Sequence, residues 1–326
     1  MHWDQTQLLY HALGRLGIEA LAVTASIEPY VCVGFSQGIP TEVDGEYCRK
    51  NGIGVFRREI GGGTVFIDRD QLLIQLVLRR DREDVPAGQA NFFRKFLGPL
   101  QGAYRDIGVE TVFMPVNDLL AGGRKISGTG GGEVGDCNVL ATNLLLDFDF
   151  ASMAGAIRCP SEEFRSAVRR MMERNLTTVR KETGTIPPFS GLRKSVRQHF
   201  EALLGPMEEA ELPYQVESEM ERIRVELFHR RWVSDRGARK KWREVKIREG
   251  CYVAQVPLEP GAQDGADGRR PELLLEVLDG RISAVAVLGP GSGPTGSFGE
   301  RLARDLAGRE YDEEQIINTM SRMATR

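Results

Sequence analysis

The chain has 326 residues, enough for two domains of ordinary size with ample core. A hydrophobic fraction of 41%, a charged fraction of 27% and a formal net charge of −3 fit a soluble globular protein and carry no global nucleic-acid signature. No apolar run reaches the length of a membrane span, while five cysteines without Cys-x-x-Cys spacing and four scattered histidines argue against a disulfide framework, a structural zinc site and a Ser-His-Asp triad.

The first residues, MHWDQTQLLYHALG, lack a basic segment followed by an apolar one, so a cytoplasmic location is the expectation. Leu8, Leu9, Ala12, Leu13 and Leu16 recur at helical spacing and predict an amphipathic helix over 4–16. Short strands are predicted at 20–24 and 30–34, then a segment through Phe35, Ser36 and Gln37, then a helix ending near Asn51. Residues 57–68, RREIGGGTVFID, place two arginines and three glycines between Gly54, Val55 and Phe56, which end one strand, and Thr64 to Ile67, which start another. Adjacent glycines let a ligand lie against backbone N–H groups, so this turn suits an anion or a flat carbonyl group. No helix follows and no Gly-Lys-Ser/Thr ends the run, which argues against a nucleotide P-loop.

Leu72 to Leu78 reads as a buried strand, and Asn91 to Ile107 as one helix with Phe92, Phe93, Phe96, Leu97, Leu100 and Tyr104 on its apolar side. Strands are predicted at 111–114 and 117–120. The stretch 117–132, NDLLAGGRKISGTGGG, sets Asn117 and Asp118 ahead of Lys125, which lies among Gly122, Gly123 and Gly128. An ammonium there, where backbone can approach a phosphate, is suited to polarising phosphoryl or carboxyl oxygens. Residues 128–136 are too polar for core and are expected to form a loop that is mobile until a ligand orders it. A buried strand over 139–150 and helices over 161–181 and 190–204 follow. The acidic, two-proline stretch 205–216 reads as a linker. Beyond it, 228–249 carries nine Lys or Arg against three acids, then strands at 251–256, 273–278 and 282–288 and helices at 298–306 and 313–323.

The two glycine-rich stretches together resemble the biotin and lipoate protein ligase superfamily and, within it, the lipoate–protein ligases. In that family an Arg-Arg-x-x-Gly-Gly-Gly turn lines the acyl tunnel, and a Gly-Arg-Lys-Ile/Val-Ser/Ala-Gly segment supplies the invariant lysine. Trp242, Lys246 with Ile247, residues 280–282 and 306–311 resemble, in order, the accessory domain of two-domain members. The resemblance implies an α/β (α+β) fold, with a catalytic domain on a mixed sheet over 1–210 and a small α+β accessory domain over 211–326.

It also implies ATP-dependent activation of lipoate, with octanoate as a second acyl substrate, to an acyl-adenylate, and transfer to a lysine of an apo-lipoyl-domain acceptor. Acceptors of that kind are the glycine-cleavage H-like proteins and the E2 components of 2-oxoacid dehydrogenases. No nucleic-acid or membrane partner is expected. Lys125 would bridge the acyl carboxylate and the α-phosphate. Arg58, Gly61, Gly62, Gly63, Thr64, Phe35 and Gln37 would line the acyl and adenylate site, with Ser127 and Gly128 beside the lysine. Asn117 and Asp118 would face the nucleotide or its Mg²⁺. The basic run 230–243 offers an electrostatic docking face for an acidic acceptor.

The family pattern is broken at Ile67, where many ligases carry histidine, and at Leu140 and Ala141, where a His-Gly pair is usual. Cys159 keeps a rival open. In the octanoyl–carrier-protein transferases of the same fold a cysteine ten residues beyond the last aspartate of the buried strand forms a dyad with the lysine. Cys159 stands at that distance from Asp149, and such a thiolate would need Lys125 nearby and no ATP.

Overall fold

The computed structural model describes residues 1–235, 237–238, 241–258, 271–289 and 298–324. It divides into two compact units: Met1–Arg158 with Leu176–Arg239, and Cys159–Asn175 with Lys240–Arg326. Among the described residues no helix is long and apolar enough to cross a membrane.

The first unit is built on an antiparallel four-stranded sheet of β1 (Ala20–Thr24), β5 (Gln71–Arg79), β9 (Thr129–Val134) and β10 (Cys137–Leu145), in the order β1-β5-β10-β9. Strand β5 is apolar from Leu72 to Leu78 except at Gln75, because both of its faces are covered. Leu72, Ile74 and Leu76, with Leu140 and Leu144, pack on Phe96, Leu100, Tyr104 and Phe200. On the other face Leu73, Val77 and Val139 join Leu8, Leu9, Ala12 and Leu13 of the helix Trp3–Arg15 and Val216, Met220 and Ile223 of the helix Tyr214–Leu227. Two three-stranded sheets complete the unit: β3 (Gly54–Arg57), β2 (Tyr30–Val33) and β4 (Val65–Ile67) in that order, and β6 (Val112–Met114), β7 (Asp118–Ala121) and β8 (Arg124–Ser127).

The second unit is an antiparallel meander of β11 (Arg243–Arg248), β12 (Cys251–Pro257), β13 (Glu272–Leu278) and β14 (Arg281–Leu288). The helix Glu162–Asn175 contacts β11, β12 and β13, and Leu302, Leu306, Ile316 and Met320 of the two last helices share the core of Leu273, Leu275 and Ile282. The mixed α/β class expected from the sequence is therefore present in both units.

Three local expectations are corrected. Residues 128–136 are not a loop: Thr129–Val134 is a strand in register with β10 and largely buried. The predicted helix 91–107 is two, Gln89–Phe96 and Gly98–Asp106, because Pro99 suits the first turn of a new helix and cannot continue an old one. The helix from Glu162 stops at Asn175, and a separate short helix occupies Val179–Thr183. Each compact unit is assembled from two separate stretches of the chain. Residues 211–235 belong to the first unit, since Val216, Met220 and Ile223 form an apolar helix face on the N-terminal helix, whereas 162–175 belongs to the second. Within the basic run, Arg236, Arg239 and Lys240 lie outside the described residues.

Candidate functional site

Strand pairing sets the entry to the first glycine triplet. β2 and β3 run parallel, and the Arg58 N–H extends the ladder to Val33 O at 3.0 Å. The buried Arg58 guanidinium then braces the loop it precedes. Nε and Nη2 donate to Gly61 O at 3.2 and 3.0 Å, Nη2 also to Gly63 O at 2.8 Å, and Nη1 to Cys32 O at 3.1 Å and Cys32 Sγ at 3.4 Å. Its donors are thus taken up by the protein itself, so Arg58 shapes the turn. Glycine is required at 62, where φ is +104° and a Cβ would lie 2.7 Å from Arg58 Nη2. Gly34 is equally constrained, since a Cβ there would stand 1.9 Å from Gly62 O.

The Gly61 N–H donates to Gly131 O at 3.2 Å, whereas among the described residues the N–H groups of Gly62 and Gly63, both exposed, donate to no protein acceptor. Two of the three glycines therefore present free donors, and the third is an anchor. Gln37 Oε1 accepts from Thr64 Oγ1 at 3.1 Å and from the Gly34 N–H at 3.3 Å, tying the ends of the turn together. Phe35 is 51% exposed and stands outside the core.

Lys125 sits on a tight hairpin. Gly122 and Gly123, at φ +53° and +77°, supply the two positive-φ positions that a two-residue turn between β7 and β8 demands. Lys125 Nζ lies 2.7 Å from Asp118 Oδ1; the lysine side chain is 19% exposed and the carboxylate 2%. Around them the backbone is held from several sides: the Thr177 N–H donates to Lys125 O at 2.9 Å, the Tyr104 hydroxyl to Ile126 O at 2.7 Å and Asn117 Nδ2 to Thr129 O at 2.6 Å. Ser127 is wholly buried, its hydroxyl 2.9 Å from both Thr142 Oγ1 and Asn143 O, and the Gly128 N–H donates to Asn143 Oδ1 at 2.8 Å. Ser127, Gly128 and the Asn117 amide nitrogen are thus engaged within the fold, as supports of the hairpin.

The two glycine-rich stretches meet: beyond the Gly61–Gly131 bond, the Cβ position of Gly62 is 3.6 Å from Gly130 Cα. Sequence reasoning passed over Tyr104, Asn143 and Thr177, whose pairing with the lysine hairpin depends on strands and helices distant in the chain. Cys159 falls in the other compact unit from Lys125. Burial pushes the Cys48 and Cys251 thiols up to about 11. Asp68, just after β4, is pushed up to about 6 by burial, with the nearby Asp70 charge adding to it. Among the described residues no group of three or more His, Cys, Asp or Glu side chains converges as a metal cage.

A family profile described as the lipoyl protein ligase A/B catalytic domain matches residues 1–201. Lipoate-protein ligase A subunit 1 of Thermoplasma acidophilum is 28% identical over 159 residues, covering 46% of this chain and 59% of its own length. The chain therefore spans less than two thirds of that relative. Lipoate–protein ligase of Streptococcus pyogenes is 23% identical over 297 residues, 90% of this chain and 81% of its own length. Octanoyltransferase LipM of Halalkalibacterium halodurans is 20% identical over 224 residues, 61% of this chain and 81% of its own length. Among solved structures, a bi-partite lipoate protein ligase of Thermoplasma acidophilum, described with its E2 lipoyl domain, superposes with a TM-score of 0.64 at 20% identity, over 73% of this chain and 93% of that one. Lipoate-protein ligase A bound with ATP gives 0.56 at 21% identity, over 68% and 88%. These structural likenesses show a common fold.

Proposed function

The chain belongs to the lipoyl protein ligase A/B catalytic-domain family, within the biotin and lipoate protein ligase superfamily, and from that premise we propose that it is an ATP-dependent lipoate–protein ligase. The observation that carries the reading is the Lys125–Asp118 pair at 2.7 Å, on the hairpin whose next strand receives the Gly61 N–H. A carboxylate is a poor electrophile for an amine, because it is anionic and lacks a leaving group. In the first half-reaction a lipoate oxygen attacks the α-phosphorus of ATP and pyrophosphate leaves, giving a mixed anhydride. In the second, the acceptor lysine amine attacks the acyl carbon, loses a proton, and AMP departs.

Lys125 supplies a positive charge between the acyl carboxylate and the α-phosphate, where negative charge has to be held through the transition state. Asp118 orients that ammonium. With its carboxylate buried against Lys125, Asp118 fits the part of a counter-ion better than that of a metal ligand, so Mg²⁺ would arrive on the nucleotide phosphates rather than in a protein cage. The free N–H groups of Gly62 and Gly63 suit the acyl-adenylate oxygens, and Thr64, Gln37 and Phe35 stand at the acyl end. The acceptor is an apo-lipoyl domain of the H-protein or E2 kind, and octanoate is an alternative acyl group.

The similarity to LipM favours one rival, acyl transfer from a carrier-protein thioester through Cys159. One assay separates them: lipoate and an apo-lipoyl domain are offered with either ATP and Mg²⁺ or an acyl carrier thioester. Modification that requires ATP and survives Cys159→Ala supports the ligase. ATP-independent transfer abolished by that change establishes the transferase.

A further inference from the structure

The first arginine of the pair has a separate set of partners. Arg57 is 4% exposed, and its Nε and Nη2 donate to Phe35 O at 3.2 and 2.6 Å. Nη1 donates to Asp235 Oδ2 at 2.8 Å and to Trp232 O at 3.3 Å, the guanidinium carbon stands 4.4 Å from the Trp232 ring centroid, and Trp232 Nε1 returns a hydrogen bond to Arg57 O at 3.0 Å. Two residues further on, Gly237 forms an antiparallel bridge with Gln37, and the Ala238 N–H donates to Ser36 O at 2.8 Å. Gly237 has φ +68°, and a Cβ there would lie 2.4 Å from Gly38 N. Residues 232–235, with 237 and 238, thus form a strap paired along 35–38, the segment whose Gln37 holds Thr64 at the end of the glycine turn.

A buried guanidinium is costly unless its donors are matched, and here they are matched by this segment and by the Phe35 carbonyl. Phe35 and Ser36 are exposed, so without the strap 35–38 would be a surface loop with few apolar contacts to restrain it. We propose that Trp232, acting through Arg57, is a positioning residue for the acyl substrate: the strap fixes Phe35 to Gly38 and so sets where Gln37 and Thr64 meet the ligand. This rests on the reading of those residues as the acyl end of a ligase site.

The test compares full-length wild type, Trp232→Ala and Gly237→Ala by amide hydrogen exchange and by steady-state kinetics with lipoate, ATP and Mg²⁺. The expected result in both variants is exchange over 35–38 faster by about tenfold, with β5 and β10 unchanged, and a KM for lipoate raised about tenfold, the scale of one lost hydrogen-bonded anchor, while kcat and the KM for ATP stay within about twofold. Unchanged exchange at 35–38 in both variants overturns the proposal. So does faster exchange without a change in KM for lipoate, or a rise spread evenly through the first unit, which would mark a merely structural role. A wild-type chain that turns over no lipoate with ATP would sink the ligase reading, and the exchange data would then decide the strap alone.

Discussion

The sequence Gly-Gly-Gly occurs twice in the first unit, at 61–63 and at 130–132, and the two copies do opposite things. In the first, Gly62 and Gly63 are exposed with free N–H groups, and a Cβ on Gly63 would meet nothing within 4 Å. In the second the glycines lie in β9, in register with β10. A Cβ on Gly130 would be 2.9 Å from Gly61 O, and one on Gly131 would be 2.7 Å from the Phe93 ring and 2.8 Å from Val139 O. One triplet lacks side chains so that something outside can approach. The other lacks them so that the protein can pack on itself and carry the first.

The largest expected effect falls between them, at the lysine on the strand leading into the second triplet. Lys125→Ala is expected to slow adenylate formation by about a thousandfold, as for loss of one fixed transition-state charge. Pyrophosphate release measures it; a near wild-type rate would reduce the hairpin to scaffold. Next is Gly131→Ala, expected to cost about 3 kcal/mol of first-unit stability, since a ring and a paired-strand carbonyl must both give way. Urea unfolding checks this, and a loss below about 0.5 kcal/mol would mean that β9 is not held as described.

What was legible in the sequence follows from how local its cause is. The N-terminal helix, β1 and the largely apolar β5 announce themselves through period and composition, and the glycine turn at 61–63 is framed by its own flanking strands. Glycine's low strand propensity hid β9, because the reasons for the glycines are Phe93 and Val139, remote in sequence or on the partner strand. Arg57 and Arg58, adjacent in sequence, serve different segments, and nothing near residue 57 names Trp232. The make-up of the compact units rests on contacts just as remote. The helix Tyr214–Leu227 begins inside the stretch read as a linker and was not among the predicted elements, and the partner of its apolar face is a helix about 200 residues earlier.

The support beneath the exposed triplet has a pH signature. His11 is fully buried; its Nδ1 is 2.7 Å from Gln7 O, and its Nε2 accepts the Glu59 N–H at 3.1 Å, which fixes a neutral ring. Burial lowers its pKa to about 3. The unfolded chain then binds a proton below about 6.5 that the folded chain refuses, so this contribution is full above that pH and is lost as pH falls toward 3. The first unit should lose about 2 kcal/mol between pH 7 and pH 5 from this residue. Urea midpoints at both pH values test it, and His11→Gln, which does not titrate, should remove that part of the slope.

The smallest stability effect sharpens the contrast most. Gly63→Ala meets open space and needs no left-handed backbone, so first-unit stability should stay within about 0.5 kcal/mol of wild type. The new methyl group nevertheless stands where a ligand must approach the backbone, and the KM for lipoate or ATP should rise by about tenfold, the scale of one lost hydrogen bond. Set beside Gly131→Ala, the pair predicts a crossed result: one alanine damages binding and spares the fold, the other damages the fold. If Gly63→Ala left both stability and KM unchanged, the free donors at 62 and 63 would be a bare surface turn, and the site would have to be sought on the lysine hairpin alone.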